Sequence, residues 1–523
     1  MELLRETALV GTEKKPLDAT ALPEAVKHLL SATDPETQFL QATTLLNFYK
    51  QAGTYPTAYK GVVDEAVIEE DKPVAPSELL DLYAKFGMVD YQIRDTMIGL
   101  WLNALIDQSA IVGPDILVGL IRDGQNASAL TKAKILRVIG NKGAWILRND
   151  SALSYPVLPS GAGSWEDGTT HERKILFANL HTQHPIEAIE LLKRTWATES
   201  VVTKKVFLDL LKDDFVASDV SFAEACYNEE FKHQPKEKKT ERECRRLLAE
   251  MLLSLTDTAL YKNVTAALYA YHIKGKKGIM GFVTGKEAVS FQIPASEDSF
   301  WNAAHFEQAF GLESKSFDIA LFNSPQLYWL SCLLEWIPMS YWAKHFDNDY
   351  ERSIDYWLTN KDYQTIINGE VVPIFRKSLV ENALKHRDPE SAWILVNKIN
   401  SAEVTSLLPV IRPEHFEAFI KRNKYWNDIE FLSNGPFSQE RSWSRAFSEQ
   451  VIEQAYDEAM RNKSSSHLGK VIAQFAHTES IDTLYSFNEK ARESSSYNVW
   501  NTGIFQVAHV AMDIRNKINA IKK

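Results

Sequence analysis

A helix-start signal recurs along this chain and constrains its fold more than any other feature. It consists of a capping or turn residue, then proline, then an acidic or helix-forming turn. It appears as Asp34-Pro35-Glu36, His184-Pro185-Ile186-Glu187 and Asp388-Pro389-Glu390, with variants at Gly113-Pro114-Asp115, Ala75-Pro76-Ser77-Glu78 and Arg412-Pro413-Glu414. Proline suits the first helical position because the N–H it lacks would have no partner there. Acidic residues just after it favour the positive end of the helix dipole. Short helical runs follow, such as Phe39 to Ala52 before Gly53, or Ala188 to Trp196. Serial starts with short links predict antiparallel helix pairs stacked one after another. The repeat has no fixed period and no tetratricopeptide or ankyrin consensus, so HEAT-like stacking is the nearest description. The expected fold class is therefore all-α: an irregular HEAT-like helical repeat (α-solenoid) in two helical halves, with at most a short β-hairpin in the connecting loop.

The clearest single helix begins at Thr240-Glu241-Arg242-Glu243, read as a capping box in which Thr240 caps and Glu243 reaches back. Apolar residues then fall at Cys244, Leu247, Leu248, Met251, Leu252 and Leu255, one stripe of an amphipathic helix. Cys244 lies on that stripe and reads as a small core residue. Further helices are expected at Pro325 to Trp336, Arg441 to Arg461 and Ile504 to Ile521. Strand signals are sparse. Ala288 to Ile293 alternates before Pro294 and pairs most naturally with Ile279 to Val283. Two stretches interrupt the helical pattern: Ala152 to Thr170, and Lys274 to Ser299 with four Gly and four Lys. The second divides the chain into a helical-repeat domain 1–273, a Gly/Lys-rich connection 274–300 and an aromatic-rich helical domain 301–523. Nine of the 13 Trp lie beyond residue 300, where they read as helix-interface filling.

The 523 residues are 45% hydrophobic and 24% charged, enough apolar material to offset the ordering entropy of folding. The opening residues lack a basic region followed by an apolar one, and no window approaches about 18 consecutive apolar residues. Cys226, Cys244 and Cys332 are an odd count without CxxC spacing, which argues against a disulfide framework. A reduced, cytoplasmic setting is expected, with no membrane partner. A net charge of −11 disfavours non-specific nucleic-acid binding. Two local basic runs remain, Lys232 to Lys239, read as a solvated helix face, and Lys274, Lys276, Lys277 and Lys286.

The chemical motifs are mostly missing. Gly278 to Lys286 fails as a phosphate loop because Met280 and Glu287 stand where Gly and Ser or Thr are needed. His181 and His184 resemble half a metal site, but His184 precedes Pro185 and so leaves helical geometry. Cys226, His233 and Cys244 have irregular spacing and no fourth partner for zinc. Gly-x-Ser-x-Gly, His-Glu-x-x-His and Gly-x-Gly-x-x-Gly signatures are not found. No cofactor, metal or catalytic residue is therefore assigned. Trp329, Trp336 and Trp342 with Tyr328 and Tyr341 read as interhelical core.

Several local patterns coincide. Leu4-Arg5-Glu6-Thr7-Ala8-Leu9-Val10-Gly11-Thr12-Glu13-Lys14-Lys15-Pro16-Leu17 resembles the start of a bacterial family of unknown function. Similar matches are Leu45-Leu46-Asn47-Phe48-Tyr49 with Gly53, Gly140-Asn141-Lys142-Gly143-Ala144-Trp145-Ile146-Leu147, Trp165-Glu166-Asp167-Gly168 with Arg173, and Glu241 to Leu248. Leu333 to Trp342 and Asp388 to Trp393 extend the resemblance into the second half. It implies a helical-repeat protein without an assigned activity. Genes of that family commonly lie near those of a MoxR-type AAA+ ATPase, a von Willebrand A-domain protein and a SWIM zinc-finger protein. The expected function is thus a non-enzymatic protein-binding scaffold or adaptor, with the AAA+ ATPase or the von Willebrand A-domain protein as partner. The alternatives are nucleic-acid binding through Lys274, Lys276, Lys277 and Lys286, or an enzyme whose site lies between the halves near Trp145, Arg148, Trp165 and Arg173.

Overall fold

The computed structural model describes residues 2–52, 68–150, 153, 165, 168–276, 287–294, 298–315, 317–399, 403–426, 428–438, 441–461, 466–493 and 499–522. They are mainly helical, with two antiparallel strand pairs among them. The proline signal acts as expected: Pro35, Pro114, Pro185, Pro389 and Pro413 each stand first in a helix, and Pro76 immediately precedes one. The residue before proline supplies a side-chain cap where it can accept. Asp388 accepts from the Glu390 and Ser391 N–H groups at 3.1 and 3.3 Å, and Asp34 from Thr37 N–H at 2.8 Å. His184, Gly113 and Arg412 occupy the same position without a side-chain cap.

The chain divides into two compact units, Met1–Ile68 and Glu69–Lys523. The first holds the helices Glu2–Val10, Glu24–Lys27 and Pro35–Ala52 around Leu4, Leu17, Leu22, Val26, Ala42 and Leu46. In the second, one hydrophobic cluster runs from Ala75 to Ile518, and another gathers Trp165, Phe177, Trp196, Phe207 and the apolar face of the helix Lys239–Ser254. The segment 274–300 lies within this second unit. Residues on both sides of it meet at Phe291: the His272 ring lies edge-on to it with centroids 4.8 Å apart, the Phe291 N–H donates to Tyr356 Oη at 2.7 Å and its carbonyl accepts from Tyr363 Oη at 2.7 Å. The aromatic excess fills this core. Phe306 stacks on Trp329 with ring centroids 4.4 Å apart, and Trp342 meets Trp357 edge-on at 5.5 Å.

Several local expectations are corrected. The helix expected from Thr240 starts at Lys239, with Lys238 as the cap residue and the Glu241 carboxylate accepting Lys238 N–H at 2.8 Å. Glu241 stands at the third helical position, where a carboxylate reaches back, and the Lys238 side chain offers no acceptor for the reciprocal half of a box. The apolar stripe from Cys244 to Leu252 is buried as expected. Strand β1 (His272–Lys276) pairs with β2 (Glu287–Phe291), so β2 is matched by residues farther back in the sequence than Ile279 to Val283, which lie outside the described residues. A second hairpin, β3 (Gln364–Ile367) and β4 (Glu370–Pro373), was not expected. Its turn is Asn368-Gly369, both with positive φ (53° and 85°), the conformation a two-residue hairpin turn demands. The helix expected from Arg441 begins at Arg445, and the one expected from Ile504 begins at Val499.

The serial reading did not contain one long-range feature. The helix Val499–Lys522 packs on the helix Tyr91–Asp107, and Lys85 pairs with Asp513 at 2.9 Å while Lys470 lies 3.5 Å from Asp90. Arg515, buried in the same helix, donates to the Ala473 and Ala476 carbonyls at 3.0 and 2.8 Å, at the end of the helix Ser466–Phe475. Those carbonyls carry the negative end of a helix dipole and so stabilise the charge.

Candidate functional site

Trp145 and Arg148 lie on the helix Gly140–Asn149, which buries Gly143 and Leu147 on one face. Asn141, Trp145 and Arg148 follow at helical spacing on the opposite, exposed face. Arg148 Nε donates to the Ala144 carbonyl at 3.2 Å, and Asn149 Nδ2 to the Trp145 carbonyl at 2.9 Å. Among the described residues Trp145 is the one exposed tryptophan, at 50%, whereas eight others are fully buried.

Trp165 and Arg173 meet, away from water. Trp165 is fully buried and donates through Nε1 to Thr195 Oγ1 at 3.0 Å. The Arg173 guanidinium sits 5.6 Å above its ring and 5.9 Å from that of Phe207, and pairs with Glu199. The arrangement clasps residue 165 against the start of the helix Thr170–Gln183. Lys274 and Lys276 belong to β1, with side chains outside the described residues, and Lys277 and Lys286 lie outside them altogether.

A cleft of about 650 Å³ opens where the last turns of three helices converge: Val201–Asp213, Lys239–Ser254 and Arg376–Lys385. Sequence reasoning did not find it. At its floor the buried Glu250 carboxylate lies 2.6 Å from Lys385 Nζ and 3.5 Å from Lys212 Nζ, and Lys385 also reaches Glu335 at 2.9 Å. Burial, and next the charge of Lys385, push the His386 imidazole down to about 4. On the rim, Asp214 Oδ2 lies 3.9 Å from Nδ1 of buried His181, whose Nε2 is 3.0 Å from Asp219 Oδ2. Asp219 in turn accepts Val216 N–H at 2.9 Å. Arg387, also in the cleft, has a φ of 45°, a left-handed conformation unusual for a long side chain. The floor of the cleft is thus knit by ion pairs, and its His181 edge by polar contacts, that join one helix to the next.

His181 therefore turns inward, while His184 is exposed at the junction with the next helix. Among the described residues, no group of three or more His, Cys, Asp or Glu is placed to hold a metal ion. Burial pushes the thiols of Cys226, Cys244 and Cys332 up to about 12, so each is a protonated core residue at neutral pH. No described helix is long and apolar enough to cross a membrane.

No curated protein and no solved structure matches the chain. Residues 3–520 match a family of unknown function, DUF5691, and the chain belongs to it.

Proposed function

We propose that this member of a family of unknown function is a helical protein-binding scaffold, with the exposed face of the helix Gly140–Asn149 as part of its contact surface. One observation carries the reading: a chain that buries tryptophan almost everywhere leaves Trp145 in water beside Arg148. Trp and Arg are, with Tyr, the side chains most enriched where protein partners bind tightly. The charged cleft is consistent with this reading, because its side chains are engaged with one another across helix ends. The partner favoured by the resemblance is the MoxR-type AAA+ ATPase or the von Willebrand A-domain protein.

The test is direct mixing of the full chain with each candidate partner, read by light scattering after gel filtration. A stoichiometric complex is expected, weakened at least tenfold by Trp145→Ala with Arg148→Glu. Absence of a complex with both candidates overturns the partner assignment. A complex indifferent to the double substitution overturns the surface assignment.

A further inference from the structure

We draw no further inference here: the strongest candidate, the charged cleft where the helices Val201–Asp213, Lys239–Ser254 and Arg376–Lys385 end, carries none, because Glu250, Lys385 and Lys212 pair with one another and Asp213, Asp214 and Glu381 beside them form an acidic cluster for which nothing in the described structure shows an occupant.

Discussion

The two compact units differ in what holds them. Among the described residues the first, Met1–Ile68, buries six aliphatic side chains, and ion pairs such as Lys15 with Glu6 and Lys27 with Glu24 involve solvent-accessible groups. The second buries eight tryptophans completely and places charged groups in its interior, among them Arg245, which donates to Glu237 at 2.6 Å and to the Glu307 carbonyl at 3.1 Å. Burial would raise the Glu237 carboxyl, but the hydrogen bonds and charge of Arg245, with Arg242 beside it, outweigh this and hold it at about 2. Buried area and interior charge networks accumulate with size, so a short unit has fewer means of fixing itself. The lesson is one of uneven stability: residues 2–52 are expected to open at lower free energy than the tryptophan-filled core.

The strongest way to break that contrast is Trp329→Ala, which removes a buried indole stacked on Phe306. A loss of about 3–5 kcal/mol is expected by denaturant unfolding followed in the second unit, with exchange in residues 2–52 unchanged. Acidification gives the next effect. His386 is held near 4 in the folded chain against an ordinary value of about 6.5. Between these values the unfolded chain binds a proton that the folded chain refuses, so stability falls as pH drops through that window and is fully present above it. The loss from this group approaches roughly 3 kcal/mol at the acid end, and His386→Gln should flatten the dependence of melting temperature on pH from 6.5 to 4. Leu46→Ala, in the first unit's core, should cost about 2 kcal/mol locally. It should quicken exchange in residues 2–52 while leaving the second unit's melting in place; a shift in both would show that the units unfold together. Smallest is Lys15→Ala, which removes an exposed pair with Glu6 and should change stability by under about 0.5 kcal/mol.

Legibility followed the range of the forces involved. The helix starts were readable because proline and its capping neighbour act within one turn, as at Asp388-Pro389. The hairpin at Asn368-Gly369 was equally local, and its turn signal stood in the sequence unread. The charged cleft was not readable, because Lys212, Glu250 and Lys385 come from helices separated by long stretches of chain. The same holds for the Glu70 carboxylate, which accepts the N–H of Asn141, 71 residues further on, at 2.6 Å. Trp145 illustrates a different limit. Its helical spacing is visible in the sequence, but which of thirteen tryptophans faces water depends on what packs against each helix, not on its neighbours in the chain.

The packing of the helix Val499–Lys522 on the helix Tyr91–Asp107 also sets a timetable for synthesis. Lys85 and its partner Asp513 are 428 residues apart, and translation at about 5–20 residues per second separates their appearance by roughly 20–90 s. Throughout that interval the surface that will receive the final helix stands uncovered on a nascent chain. The cell must shield it or keep it from finding the same surface on a neighbouring ribosome's product.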